Sequence, residues 1–231
     1  MGVGGMSVTV GILALQGAFV EHEAALQRLD RKIEVVLVKT PEDLEKCDAL
    51  IIPGGESTTI ALLARLSGLM DPLKKFVSER PVWGTCAGAI LLSQTVENTK
   101  KGGQEVLGGM SIGIARNGWG SQIESFEADL TVSGLKDPEN PFRGVFIRAP
   151  VVIELKPAAN DPPVEVVASL SPELLPPALS APDHSNEPKT FVALRQGLHF
   201  LTTFHPELTR DDRFHEYFVR ECVLPRHSPK G

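Results

Sequence analysis

The sequence predicts an α/β fold: a three-layer sandwich with a mostly parallel central sheet and added antiparallel strands. Three observations predict it. Strand-like and helix-like stretches alternate through the first half, which implies right-handed βαβ units and a parallel sheet covered on both faces. Three of the strands run into glycine turns, so Gln16, Gly55 and Cys86 should meet at the carboxyl edge of the sheet, where open α/β folds carry ligands. The second half holds strand-like runs joined by turn residues with little helical pattern between them, the signature of antiparallel hairpins.

Residues 8–15 are β-branched and aliphatic and end at Gln16-Gly17, a strand followed by a turn. A helix over 19–29 follows, then a strand over 33–38, a helical turn over 41–46, and a strand over 49–52 that closes at Pro53-Gly54-Gly55. Ser57 is placed to cap the next helix, in which Ile60, Leu63 and Leu66 fall at helical spacing until Gly68. Pro81-Val82-Trp83 reads as a short buried strand and 87–94 as a helix. Beyond Met110, the runs 122–132, 144–147, 164–170 and 190–195 read as hairpin strands added to the sheet. Residues 198–204 form one more strand, and a final helix over 211–223 sets Phe214, Phe218 and Cys222 on one face. The stretch 171–189 contains Pro172, Pro176, Pro177, Pro182 and Pro188 without period and reads as an exposed loop insertion.

Between the strand and the helix, Gly84-Thr85-Cys86-Ala87-Gly88 has the form of a nucleophile elbow with cysteine as the nucleophile. The glycines permit a tight bend that exposes the side chain between them. The first-turn N–H groups of the following helix favour a thiolate there. Near the C-terminus, His205-Pro206-Glu207 offers a base and its orienter. Two residues apart on an extended segment, the imidazole and carboxylate point the same way, and Pro206 stops the strand. A cysteine nucleophile needs such a base, and the base needs an acceptor on its far nitrogen.

At 231 residues the chain has ample length to bury a core, and no low-complexity linker divides it, so residues 1–231 read as a single domain. A formal charge of −6 argues against nucleic-acid or anionic-membrane partners held by a general field. Cys47, Cys86 and Cys222 are few, odd in number and widely spaced, which suits a reducing compartment, the cytosol by default. Cys222 and Cys47 read as core residues. No apolar run reaches membrane-span length, and the N-terminus lacks the features of a signal peptide. His22, His184, His199, His215 and His227 show no metal spacing and read mostly as solvated, so neither a metal nor a cofactor is expected.

With these motifs in hand, the chain resembles the class I, triad-type glutamine amidotransferases. Within them it is similar to the branch that forms the glutaminase subunit of pyridoxal 5′-phosphate synthase. The resemblance runs almost end to end: Gly11 to Ala18, Pro53-Gly54-Gly55-Glu56-Ser57-Thr58-Thr59, the elbow, Arg116-Asn117 with Gly120-Ser121-Gln122 and Ser125-Phe126-Glu127, Phe146-Ile147-Arg148-Ala149-Pro150, and Phe204 to Thr209. It departs at Gly118-Trp119 and in the Pro-rich insertion.

The resemblance implies a flavodoxin-like fold and hydrolysis of glutamine to glutamate and ammonia. The ammonia would pass to a separate, barrel-shaped, oligomeric synthase subunit that builds the vitamin B6 cofactor from a pentose phosphate and a triose phosphate. Cys86, His205 and Glu207 would be the triad. Backbone N–H groups of Gly55 and Ala87 would form the oxyanion hole, and Gly55, Glu56, Ser57, Arg116, Ile147 and Arg148 would bind glutamine. Glu56 is either the partner of the substrate ammonium or only part of a capping pair with Ser57. Arg116 and Arg148 either line the site or are ordinary surface charges, and Gln16 either reaches the site or closes a turn. Two rival readings remain. The glutaminase of another amidotransferase, such as imidazole glycerol phosphate synthase, would lack Glu56 in this setting. A non-catalytic flavodoxin-like protein with a reactive cysteine would lack the His-x-Glu partner.

Overall fold

The structure, a computed structural model, describes residues 7–99, 101–119, 125–132, 134–175 and 188–227. The Gly120-Ser121-Gln122 segment, residues 176–187 of the Pro-rich stretch, His184 and the side chain of His227 lie outside the described residues.

Strand β1 (Val8–Leu13) is followed by α1 (Phe19–Gln27), β2 (Ile33–Val38), α2 (Pro41–Glu45) and β3 (Ala49–Ile52), and β1 pairs in parallel with both β2 and β3. Thr40 caps α2, accepting from Asp43 N while the Asp43 carboxylate accepts from Thr40 N, and Pro41 supplies the fixed first-turn dihedral. Helix α3 (Ser57–Leu66) begins one residue earlier than a Ser57 cap allows. Its cap is Glu56, extended at φ −104°, whose carboxylate accepts from Thr59 N, while Ser57 Oγ turns away to Gln104. Its buried stripe is Ile60, Ala61 and Ala64, with Leu66 exposed to 74%.

A helix the sequence analysis passed over, α4 (Met70–Glu79), buries Met70, Leu73, Phe76 and Val77 and leads to β4 (Val82–Thr85). After the elbow, α5 (Ala87–Leu92) is buried throughout and gives way at Ser93 to β5 (Ser93–Glu97). The helix expected to reach residue 94 ends two residues sooner, because the chain turns extended to pair with β6 (Met110–Ala115).

The second half corrects the expectation that its hairpins all extend the main sheet. Strands β7 (Ser125–Leu130) and β8 (Phe142–Ile147) form their own antiparallel ribbon, and β9 (Val151–Leu155) joins β6 and β5 in a three-stranded sheet. Aromatic side chains explain the first separation: Phe142 and Phe146 pack on Phe204 and Phe214, so the ribbon covers a face of the main sheet instead of lengthening its edge. Only β10 (Val164–Ser169) and β11 (Phe191–Gln196) extend the main sheet, β10 antiparallel to β11 and β11 antiparallel to β12 (His199–Thr202).

The main sheet therefore runs β10-β11-β12-β4-β3-β1-β2, parallel from β12 to β2. Apolar clusters line both faces. One holds Trp83, Phe200, Phe214 and Phe218, the other Leu50, Leu73, Leu91 and Leu201. The final helix begins at Arg213, as α6 (Arg213–Phe218), passes through a π turn (Val219–Val223) and resumes as α7 (Leu224–His227). Phe214, Phe218 and Cys222 lie fully buried, as their spacing predicts. No helix among the described residues is long and apolar enough to cross a membrane.

Candidate active site

Parallel pairing brings the two motifs together. Strand β12 lies beside β4 with Thr202 opposite Thr85, and Thr202 O accepts from Cys86 N at 2.9 Å. The chain leaving β12 therefore delivers His205 beside the elbow. His205 N–H donates to Val145 O at 2.8 Å, which ties this segment to β8.

Cys86 stands between β4 and α5 at φ 47° and ψ −100°, a conformation that costs an L-residue energy and persists where the surroundings impose it. Gly88 is one cause. A side chain there would run into the carbonyl of Ile52, so only glycine lets α5 lie close against β3. Cys86 is 7% exposed, and its thiol faces Ile147 O at 4.0 Å.

His205 Nδ1 and Glu207 Oε1 are 2.7 Å apart, with the carboxylate buried. Pro206–Leu208 is a 3-10 turn, so the two residues do not share an extended strand as expected. The tight turn brings the carboxylate back onto the ring, and the pair forms by a different backbone path. Burial disfavours the His205 imidazolium, but the neighbouring Cys86 and the hydrogen-bonded Glu207 carboxylate outweigh it and raise His205 to about 10. Burial likewise works to raise Glu207. The imidazoles of His22 and His205 more than reverse this, and the carboxyl lies below its usual range.

Gln16, Gly55, Glu56, Ser57, Cys86, Ala87, Arg116, Ile147, Arg148 and His205 line one cleft of about 400 Å³, the size of a small-molecule site. Each expected site residue except Glu207, which sits behind His205, reaches this cleft. Gln16 both lines it and accepts from Glu56 N at 2.8 Å. Glu56 Oε1 accepts from Arg116 at 2.8 Å, and Oε2 from Thr59 N at 2.8 Å, so this carboxylate caps α3 and pairs with an arginine at once. Arg116 is 9% exposed, not a surface charge, and also donates to Gln104 Oε1 at 3.2 Å. Arg148 is exposed at the rim with φ 42°.

Three kinds of residue escaped the sequence analysis. Gln104 links Ser57 to Arg116. Asn117 and Ile90 join the cleft wall. The largest correction concerns His22 and His215, which were read as solvated and are completely buried, with His22 Nε2 3.5 Å from Glu207 Oε2. Helical spacing carried the signal: His22 shares the buried stripe of Ala25 and Leu26, and His215 that of Phe218 and Val219. His199, on β12, is held down to about 4 mainly by burial, and lies in a separate depression with Val77 and Gln196. Cys47 and Cys222 are core residues, and burial pushes their thiols to about 11 and about 12.

Known proteins are similar to the chain over most of its length. The SNO glutamine amidotransferase family matches residues 12–224. A probable pyridoxal 5′-phosphate synthase subunit PDX2 of Arabidopsis thaliana is 45% identical over 224 residues, spanning 92% of this chain and 85% of that protein. A pyridoxal 5′-phosphate synthase subunit PdxT of Chloroflexus aurantiacus is 43% identical over 213 residues, spanning 92% and 99%. A crystal structure of a glutamine amidotransferase superposes with a TM-score of 0.72 at 43% identity, over 91% of this chain and 97% of the other.

Proposed function

The chain belongs to the SNO glutamine amidotransferase family, and from that premise we propose that it is the glutaminase subunit of a pyridoxal 5′-phosphate synthase. What supports the reaction is the His205 imidazole, 2.7 Å from the Glu207 carboxylate and lining the same cleft as Cys86. Glutamine hydrolysis is acyl transfer, and this arrangement supplies its parts.

Cys86 adds to the side-chain amide carbon of glutamine, with its proton held by His205. The tetrahedral oxyanion takes donors from the backbone N–H groups of Gly55 and Ala87, each worth about 10²–10³ in rate at such sites. The C–N bond then breaks as His205 gives its proton to the leaving nitrogen, and ammonia departs from a thioester on Cys86. Water, deprotonated by His205, attacks the thioester and releases glutamate. Glu207 holds the ring and stabilises its charged form throughout. Glu56, Ser57, Arg116, Ile147 and Arg148 bind the amino-acid end of the substrate. Glu56 is the anion for the substrate ammonium, its oxygens shared with Arg116 and Thr59 N–H and its backbone fixed by Gln16.

The ammonia goes to a separate, barrel-shaped, oligomeric synthase subunit. The protein works in the cytosol, consistent with free Cys47, Cys86 and Cys222, and its residues 1–231 form one domain with the Pro-rich insertion around 171–189. The relatives that bear the synthase name support this reading over the glutaminase of imidazole synthesis. The His205–Glu207 pair beside Cys86 counts against a non-catalytic protein. The test is glutamate release from glutamine by the chain alone and with the synthase subunit. Activity in the complex is the expected result, and none in either condition would overturn the reading.

A further inference from the structure

Behind the triad lies a closed polar cluster that the reaction as described does not use. His22 on α1 and His215 on α6 are both fully buried, an expensive place for polar rings unless their hydrogen bonds are arranged. Their rings pack on Trp83 edge-on, with centroids 5.6 Å and 4.9 Å from it. His22 Nδ1 is 2.9 Å from His215 Nε2, and its other nitrogen, Nε2, is 3.2 Å from Thr85 Oγ1 and 3.5 Å from Glu207 Oε2. Thr85 is the residue before Cys86. His22 therefore touches both arms of the triad, the strand end that presents the thiol and the carboxylate that orients the base.

Two buried atoms decide where the protons sit. Among the described residues, Glu207 Oε2 and His215 Nδ1 have no conventional hydrogen-bond partner. If His22 carried its proton on Nδ1, its Nε2 lone pair would face the Glu207 carboxylate, and His215 would be left with an N–H on Nδ1 pointing at nothing. Both are costly in a dry interior. With the proton on Nε2, His22 donates toward Glu207 and Thr85 while its Nδ1 accepts from His215 Nε2–H. The unpartnered His215 Nδ1 is then only a lone pair.

We propose that His22, backed by His215, is a positioning residue of this active site: its Nε2–H fixes Glu207 and the Thr85 end of β4, and so holds His205 and Cys86 in register. Burial supports the arrangement by keeping both rings uncharged, at about 3. The groups facing the pair are Glu207 and His205 on one side and Arg28 on the other. The role rests on the proposed glutaminase reaction.

Two experiments on the full chain test it. Long-range ¹⁵N–¹H imidazole spectra of the wild type should show His22 and His215 as Nε2–H tautomers that do not titrate around neutral pH. A His22 proton on Nδ1, or an ordinary titration, would overturn the arrangement without any substitution. Glutamine hydrolysis is then measured in the complex with the synthase subunit. His22→Leu should lower kcat roughly 10- to 100-fold with little change in KM and should move the pH dependence assigned to His205. His22→Gln, whose amide nitrogen reaches the place of Nε2, should recover about tenfold over Leu. Equal loss in both variants with an unmoved pH profile would mark a packing role and overturn the proposal, as would full activity in His22→Leu. An inactive wild type overturns the glutaminase reading and this role with it, whereas an active wild type beside an indifferent His22→Leu overturns this role alone.

Discussion

Cys86 and the other two cysteines differ in backbone and surroundings more than in exposure. Cys86 occupies a left-handed elbow within reach of an imidazole, while Cys47 and Cys222 sit in apolar clusters that hold their thiols protonated. A glutamine-analogue alkylating agent should therefore label Cys86 alone, and Cys86→Ala should abolish hydrolysis while Cys47→Ala and Cys222→Ala retain it. Peptide mass spectrometry after labelling checks this, and equal labelling of Cys47 or Cys222 would refute the assignment. His205→Asn should be nearly inactive. Glu207→Gln should stay folded but turn over slowly, because the carboxylate orients and stabilises the imidazole without entering a bond change. Wild-type turnover in Glu207→Gln would show that another acceptor holds His205.

Elements carry these residues to one place through register and close approach. The parallel pairing of β12 with β4 sets Thr202 against Thr85, and Gly54 leaves room for the His205 ring that a side chain would strike. The cap of α3 is part of the site, since Glu56 holds Thr59 N with one oxygen and Arg116 with the other. Glu56→Ala should cost about 1 kcal/mol of stability from the lost cap and, separately, raise KM for glutamine. Urea unfolding and steady-state kinetics on the same variant check the two effects, and an unchanged KM would reduce Glu56 to a cap. The parallel half of the sheet and the elbow were legible because glycine punctuation and β-branched runs report local backbone directly. The separate β7–β8 ribbon was not, because nothing local distinguishes a hairpin that extends a sheet from one that covers it; Phe142 and Phe146 decide it by tertiary packing. The grouping of Cys86 with the His205–Glu207 pair was legible from its motifs. His22 and His215 were misread because a polar residue type was weighed above its position on an apolar stripe.

Across the whole molecule, buried histidines make stability depend on pH with opposite signs on the two sides of neutrality. His22 and His215 are depressed to about 3, so between their ordinary value of 6.5 and about 3 the unfolded chain binds more protons, and stability falls as pH drops. Each ring contributes a slope of about 1.4 kcal/mol per pH unit in that window. His205 is raised to about 10, so its contribution is full below 6.5 and is lost as pH climbs toward about 10. Urea unfolding across this range should show a maximum near neutrality, and His22→Leu should flatten the acid limb alone; an acid limb unchanged in that variant would contradict the assignment. The whole chain is proposed to feed ammonia to a partner that consumes it. The most direct test supplies glutamine labelled with ¹⁵N at the side-chain amide to the complex of this chain and the synthase subunit, with the pentose and triose phosphates, and reads the pyridoxal phosphate formed by mass spectrometry. The prediction is ¹⁵N in the ring nitrogen with the wild type, and with Cys86→Ala no product from glutamine but full product from added ammonium. Labelled product formed by Cys86→Ala at the wild-type rate would contradict it.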